Sequence, residues 1–586
     1  MGSGQDRSRA RHGRHFAAAL AAICLAGSLG PVGAAFAAEV GEGLTARMGT
    51  AEPDARLPVI VTLEQQVDAD RYDGRPAALL RELRATASDT QAQVTDDVSE
   101  PVRRFWLVNA FATSATPGEI RDLAANPEVA RIDLDAPVRT AAVPAPLASP
   151  GDGGWGVRAI GAPSVWSELG LTGAGVRVGE IDTGVEAGNA ELAGRVVAWH
   201  DFIAGGPEPY DDNGHGTHVA GTIAGSAALG SPIGVAPGAQ LVVAKALDAQ
   251  GVAPGSALLA AAQWMTDPDG NPATADYPSI VNNSWYSSDA NNTWFRPMVQ
   301  AWVALGIVPV FAAGNGGVGT PVTSPASYPE SIAVGATDQA GAVADFSSRG
   351  PIVWQNADGL GPAAGTVLAK PDVVAPGVDV VSTVGAGFGA YSGTSMAAPH
   401  VSGTLALLRQ ARPDLSPAQL GDVLRATATD LGPAGFDGDS GAGALNALAA
   451  ARSVLGVTAA APATAASAPA PVAAAAPAPA ARAARRHVSL RGVRVRILRG
   501  RVALVRGRLI GTARLRASLR LGAPVQAAHA DKARFTSARH GRFTLRVPLR
   551  GLGPGRYRLS LVAVARDGSL LSAPVVRAVL VPRRRR

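Results

Sequence analysis

The sequence predicts an α/β fold whose centre is a largely parallel, doubly wound sheet, with a small α+β domain before it and a β-sandwich-like domain after it. Three observations carry that expectation. Between about residues 155 and 455, short and almost continuously apolar runs alternate with helical or loop segments, the pattern of parallel strands covered on both faces. Between about residues 40 and 140, a separate block alternates shorter strand and helix patterns. Beyond residue 486, apolar residues and arginines alternate with a period of two, as on an antiparallel sheet with one wet face.

Taken in order along the 586 residues, a length that suits about three or four domains, the first element is an export signal over residues 1–37. Arg7, Arg9, Arg11 and Arg14 precede an apolar run over 16–29, and Ala35-Phe36-Ala37 supplies a small-residue cleavage site. The run is too short for a membrane span, and no later stretch is long and apolar enough for one. A protein located outside the cytoplasm, secreted and without a transmembrane segment, is expected. The sole cysteine, Cys24, lies in the signal, so a disulfide scaffold, cysteine metal ligands and a catalytic thiolate are excluded from the mature chain.

Residues 38–142 form the second unit. Strands are expected at 57–63, 105–116 and 129–138, and helices at 76–95 and 117–125. Its Ala- and Pro-rich end, 141–150, reads as an exposed, cleavable connector. The central domain, 150–455, places strands at 176–181, 241–245, 279–282, 307–312 and 331–334. In open parallel sheets ligands gather at the carboxyl ends of the strands. Asp182 and Asn315 each follow such a strand.

Three local constellations carry chemistry. Ile181-Asp182-Thr183-Gly184 puts a carboxylate at a strand end where a glycine lets the chain turn. His215-Gly216-Thr217-His218-Val219-Ala220-Gly221-Thr222 has glycines that cost helix stability, roughly 1 kcal/mol each relative to alanine, and that suit close packing on the sheet. Gly393-Thr394-Ser395-Met396-Ala397-Ala398-Pro399-His400 opens a helix, so Ser395 meets the positive end of the dipole. Singly, each has an ordinary structural explanation: a turn aspartate, a core histidine, an N-cap serine. Together, in the order Asp, His, Ser, they supply an orienting carboxylate, a general base and a nucleophile for acyl transfer. The pair His215 and His218 is spaced by three, whereas a helical zinc-protease signature needs histidines four apart with a glutamate between them.

These blocks resemble the signatures of the subtilase family over about residues 155–455. The resemblance implies a subtilisin-like serine endopeptidase with Asp182, His215 and Ser395 as catalytic residues. It also implies Asn315, in Ala312-Ala313-Gly314-Asn315, as the side-chain oxyanion donor. Val281-Asn282-Asn283-Ser284-Trp285 with Trp294-Phe295-Arg296 looks most like the bacillopeptidase F branch, and residues 38–142 resemble the family's inhibitor-type propeptide. The implied partners are protein or peptide substrates and the chain's own propeptide.

Ser284, Trp285, Tyr286, Ala312, Ala313 and Gly314 are expected to wall a first specificity pocket for apolar or aromatic side chains, since none is charged. Asp211 and Asp212 are candidates to favour a basic residue at the adjacent substrate position. His218 and His400 are expected to be structural, and the sequons at Asn282 and Asn291 to be chance matches. No cofactor or metal is expected for catalysis. Only residues 226–232 follow Gly225 before the next apolar segment, so the family's asparagine-rich calcium loop is missing, and a structural Ca2+ ion is left open and unassigned. Asp437 and Asp439 fit either calcium or a solvated turn.

The chain then enters an Ala/Pro-rich linker, 456–486, and a basic β-rich domain, 487–586, with strands expected at 493–497, 502–509, 542–547 and 557–564. Residues 482–586 hold 27 Lys and Arg against two Asp and no Glu, while the whole chain carries only +6, so the remainder is acidic. Such a field concentrates polyanions, which makes an anionic cell-surface polymer a candidate partner. Sequence-specific nucleic-acid reading is not expected, because stacking aromatics are nearly absent there. An inactive binding relative and an adhesive protein are the competing classes. The first would need a broken catalytic set, and none is visible.

Overall fold

The computed structural model describes residues 38–457, except 73, 97, 141–142, 146–153, 229, 288–289 and 356–361, and then seven strands between residues 489 and 581. The expected export signal lies outside these residues, as does all of the expected linker beyond residue 457. The chain divides into two units, residues 1–463 and 464–586.

The first unit opens with a five-stranded sheet of order β1-β5-β2-β4-β3. It comprises β1 (Glu39–Val40), β2 (Leu57–Leu63), β3 (Arg103–Phe105), β4 (Ala110–Ala115) and β5 (Val129–Leu134). Helices α1 (Glu42–Met48), α2 (Pro76–Thr95) and α3 (Pro117–Ala125) pack on it. Leu57, Val59, Val61 and Leu63 share a core with Leu44, Ile120 and Ile132, while Ile60 joins Leu79, Leu80 and Leu83 on the other face. That is the period-two alternation of a strand buried on both sides. At α3, Thr116 accepts from the Glu119 N–H and Glu119 accepts from the Thr116 N–H, a reciprocal cap that fixes the helix start.

The run expected as one strand over 105–116 is two. Asn109 turns the chain at φ 38°, a conformation asparagine tolerates, with its Nδ2 donating to Gln65 O at 2.7 Å. The run over 129–138 also divides. After β5 the chain leaves its sheet, and β6 (Pro137–Arg139) and β7 (Val143–Ala145) pair with the next domain.

That domain begins with α4 (Trp155–Ala159) and α5 (Ala162–Leu169). Its seven-stranded sheet contains β8 (Arg177–Asp182), β9 (Val196–Asp201), β10 (Gln240–Lys245), β12 (Ile280–Asn283), β13 (Val308–Ala312), β14 (Ile332–Thr337) and β17 (Val373–Pro376). The order is β17-β14-β13-β12-β8-β10-β9, and every pairing is parallel. The five inner strands were expected. The two edges were not: β9 is half wet, with Val197 44% exposed, and β17 is four residues ending in Pro376. Outside the sheet lie β11 (Val252–Pro254), the pair β15 (Ile352–Val353) and β16 (Val367–Leu368), and the hairpin β18 (Val380–Val384) and β19 (Gly387–Ser392).

Alternate residues of the strands enter opposite cores. Leu241, Val243, Val308 and Val310 lie with Val219 and Ile223 of α6 (His215–Ala224) and Val401 and Leu405 of α9 (Thr394–Ala411). Val242, Ala244 and Phe311 lie with Leu258 of α7 (Gly255–Trp264) and Val299 and Trp302 of α8 (Arg296–Ala304). Helices α10 (Pro417–Thr427) and α11 (Ala447–Leu455) complete the first of these layers. The sheet is therefore doubly wound, its inner strands buried on both faces.

The N-terminal domain shares the second core: Leu79, Leu80, Leu83, Phe105 and Leu107 cluster with residues of α7 and α8. Polar contacts orient it. The Leu107 N–H donates to Gln263 Oε1 at 3.0 Å, Asp135 Oδ1 accepts from the Ser256 N–H at 2.9 Å in the first turn of α7, and Arg84 pairs with Asp267.

In the second unit β20 (Ser489–Leu498), β21 (Val502–Ile510) and β24 (Gly541–Pro548) form one antiparallel sheet. A second antiparallel sheet, of order β23-β22-β25-β26, contains β22 (Ala513–Leu521), β23 (Arg534–Ala538), β25 (Gly555–Val564) and β26 (Val575–Val581).

Candidate active site

Strand ends and helix starts meet at one edge of the parallel sheet. Asp182 is the last residue of β8, His215 the first of α6, and Ser395 the second of α9, and α6 and α9 pack against each other. Asp182 Oδ1 lies 2.6 Å from His215 Nδ1, with both side chains buried, and also accepts from the Thr183 N–H at 2.7 Å. The contact between β8 and α6 is close because Gly216 has no side chain: a Cβ there would fall 2.1 Å from Gly184 O. The glycine that weakens the helix lets the histidine reach the aspartate.

The serine is held differently from the simplest expectation. Its hydroxyl donates to Ser284 O at 3.1 Å, and His215 Nε2 has no hydrogen-bond partner among the described residues. A chain of polar groups fixes the serine backbone. Ser402 donates to Asn282 Oδ1 at 2.8 Å, Asn282 Nδ2 to Ser284 Oγ at 2.9 Å, and Ser284 Oγ to Ser395 O at 2.9 Å. Asn282 is thus a fully buried network residue rather than a surface glycosylation site. Asn315, three residues beyond β13, accepts at Oδ1 from both the N–H and the hydroxyl of Thr394, each at 2.9 Å. Those two bonds assign its amide orientation, with Nδ2 at the opposite end. Burial raises the Tyr286 hydroxyl above its ordinary value, against hydrogen bonding from the Asn315 backbone and side chain.

Of the six expected pocket residues, three are placed otherwise than expected. The Trp285 ring is fully buried and meets Phe295 and Phe311 edge-on at 5.3 and 5.4 Å. Ala312 and Ala313 are fully buried in the cores on opposite faces of the sheet. These side chains face inward, and the segment 284–286 offers its backbone: the Tyr286 N–H donates to Arg139 O. Ser284 meets Ser395, and the Gly314 N–H donates to Thr394 Oγ1 at 3.2 Å.

Asp211 and Asp212 are also committed internally. Asp211 Oδ1 accepts from Thr183 Oγ1 and the N–H groups of Asn213 and Gly214, and Oδ2 from the Thr217 N–H and hydroxyl. Burial works against its charge, but these bonds hold its carboxyl below the usual range. Asp212 pairs with Lys245 at 2.6 Å. Lys245, fully buried at the end of β10, donates also to Thr183 O at 2.7 Å and Leu247 O at 3.1 Å, tying the loop after Asp182.

Two groups escaped the sequence reading. Lys245 ends an apolar run, where a buried cation demands partners that only the fold supplies. Glu180, two residues before Asp182 on β8, is fully buried with both carboxylate oxygens lacking hydrogen bonds among the described residues. Burial, then the charges of Asp182 and Asp211, push its carboxyl well above the usual range. His218 donates from Nε2 to Val380 O at 2.8 Å and stacks on Tyr391, and His400 donates from Nδ1 to Met396 O at 2.9 Å. Burial lowers their pKa values to about 3 and about 4, so both are neutral.

Asp437 and Asp439 have separate partners: Asp437 Oδ1 accepts from the N–H groups of Asp439 and Ser440, and Asp439 pairs with Arg349 at 2.9 Å. Among the described residues the carboxylates that do converge are Asp267, Asp269 and Asp276, within 4.8 Å of one another, with Arg84 on Asp267. No helix among the described residues is long and apolar enough to cross a membrane.

Residues 173–443 match the Subtilase family model. Alkaline elastase YaB of Bacillus sp. (strain YaB) is 35% identical over 389 residues, covering 66% of this chain and 87% of that protein. Subtilisin E of Bacillus subtilis (strain 168) is 34% identical over 355 residues, 60% of this chain and 82% of that protein. Bacillopeptidase F of the same organism is 34% identical over 398 residues, 61% of this chain, but this chain spans only 27% of its length.

Proposed function

This chain belongs to the subtilase family, and we propose that it is a secreted serine endopeptidase in which Ser395 attacks a peptide carbonyl, His215 takes the serine proton and Asp182 orients the imidazole. The observation that carries this reading is the buried 2.6 Å contact between Asp182 and His215 Nδ1, which leaves Nε2 without a partner among the described residues at the start of a helix packed on the one whose first turn holds Ser395. Asp182 fixes the tautomer and stabilises the imidazolium as it forms. For attack, the Ser395 hydroxyl leaves the Ser284 carbonyl and turns to Nε2. Charge then develops on the carbonyl oxygen, where Asn315 Nδ2 and the Ser395 N–H serve as donors. The Thr394 bonds to Asn315 Oδ1 hold that amide ready, so little reorganisation is needed.

The substrates are proteins or peptides, bound in extended form. The N-terminal domain, 38–142, acts as an inhibitor that the enzyme cuts away itself, a role supported by the apolar core it shares with α7 and α8 and by the strand it adds at β11. Casein hydrolysis that is blocked by a serine-reactive phosphonate and lost in Ser395→Ala tests the activity. Hydrolysis that survives both would overturn it. The basic C-terminal domain tethers the enzyme to an anionic surface polymer, a role supported by its one-sided charge. The chain should then elute from heparin at higher salt than a version ending at residue 455. Equal elution would refute the tether.

A further inference from the structure

The first sheet of the basic domain, β20-β21-β24, has two chemically different faces. In an antiparallel sheet, residues directly opposite one another share a face. Leu490 stands opposite Leu509, Val495 opposite Val505 and Leu545, and Ile497 opposite Ala503 and Val547, so one face is apolar. On the other, Arg491, Arg508 and Arg542 form a row across the three strands. Arg494, Arg506 and Thr544 form the next row, and Arg496, Leu504 and Arg546 the third. Arginine fills seven of these nine positions, and none of the three strands contains an acidic residue to neutralise them.

Strand period alone does not gather these residues. Arg491 and Arg494 are three apart in β20, and a regular strand sends residues at odd spacing to opposite faces. The register shifts between them, a bulge at Gly492-Val493 opposite Gly507, and this returns both arginines to one face. Rows lie about 7 Å apart along the strands, and their members about 5 Å apart across them. Like charges directly opposite one another destabilise a sheet, and an anion laid between them reverses that effect. A phosphodiester chain suits these rows: each repeat carries a permanent charge, its two free oxygens match a guanidinium fork, and the flexible links between repeats follow the rows. No aromatic residue occupies the nine positions, so a nucleic-acid base finds no stacking partner there.

We propose that this arginine face binds the phosphodiester chain of a cell-surface polymer, laid across the three rows. The proposal rests on the tether reading above and adds the face that binds and the chemistry of what it takes. The second sheet does not repeat the arrangement: on β22, Arg514 and Arg516 stand opposite Val564 and Val562 of β25. Each phosphate held by an arginine releases a condensed counterion, so affinity falls steeply with salt and the number of arginines engaged sets the slope. Charge spread over the whole domain would act through either sheet, whereas the rows act through one.

Calorimetric titration of poly(glycerol phosphate) into the full-length Ser395→Ala chain, at two salt concentrations, tests this. Arg506→Gln combined with Arg508→Gln should weaken binding about tenfold or more and flatten the salt slope. Arg491→Gln with Arg542→Gln, on the flanking strands of the same face, should do likewise. Arg514→Gln with Arg516→Gln removes equal charge from the second sheet and should change affinity by less than about threefold. Equal weakening by all three pairs would overturn the face while leaving a tether by overall charge standing. Equal affinity for polyglutamate of matched length would overturn the phosphodiester, and tighter binding of single-stranded DNA would make the partner a nucleic acid. A full-length chain that binds these polymers no more tightly than one ending at residue 455 would overturn the tether itself.

Discussion

At the scale of single residues, the site separates groups that act from groups that place them. Loss of the nucleophile in enzymes of this kind costs about 10⁶ in turnover, while loss of one oxyanion donor costs about 10² to 10³. Asn315→Ala should therefore retain measurable activity where Ser395→Ala does not, with the loss in kcat rather than KM. Equal loss in the two variants would remove Asn315 from the oxyanion role. Glu180 gives a second prediction. Its carboxyl is raised in the fold by burial and by Asp182 and Asp211, so the native state keeps its proton after the unfolded chain releases it at about pH 4.3. Native stability thus falls as pH rises above that point, by about 1.4 kcal/mol per pH unit until the native group ionises. In the Ser395→Ala background, Glu180→Gln should gain stability relative to Glu180 as pH rises above 5 in urea unfolding. A difference that stays constant with pH would contradict this.

At the scale of elements, α6 and α9 are specialised by what they exclude. Gly216→Ala would gain roughly 1 kcal/mol of helix propensity, yet its Cβ would fall 2.1 Å from a backbone oxygen, and overpacking of that kind costs about 1–3 kcal/mol. The substitution should lower Tm and weaken the Asp182–His215 contact, with turnover falling more than substrate affinity. A raised Tm with full turnover would show that α6 can shift. The same two helices carry His218 and His400, held neutral by burial with pKa values of about 3 and about 4. Their values are depressed, so below about pH 6.5 the unfolded chain takes up protons that the native chain refuses. Stability should fall by about 1.4 kcal/mol per pH unit for each histidine, until the native groups titrate near pH 4 and pH 3. Urea unfolding at pH 7, 6 and 5 on the Ser395→Ala chain measures this slope.

At the scale of the whole molecule, the N-terminal domain covers part of the enzyme's second core and caps α7 with Asp135. Arg84 is the cation it sets against Asp267, whose side chain is 2% exposed. Removing one partner of a buried pair leaves the other charge stranded, typically at about 2–5 kcal/mol. After cleavage, the Arg84→Ala fragment should leave the enzyme at least tenfold faster than the wild-type fragment, read as earlier onset of casein hydrolysis. Unchanged onset would place the holding energy in the other contacts, apolar and polar, that join the two domains.

The sequence by itself determined the doubly wound fold and its five inner strands, and its motifs and family resemblance singled out Asp182, His215, Ser395 and Asn315. Each of these is written locally, as an apolar run or a short motif at a strand end or helix start. Tertiary structure decided what depends on distant partners. Trp285, Ala312 and Ala313 turned out to be core because the aromatic cluster around Trp285 and the two layers of helices enclose them. Asp211 and Asp212 were taken up by Thr217 and Lys245, and Asn282 and Ser402 became supports of Ser395. Edge strands β9 and β17 and the departure of β6 from its own sheet were unreadable for the same reason: pairing partners distant in the sequence, from Val334 opposite Val373 to Val252 opposite Arg139, select them, and no local pattern records that choice.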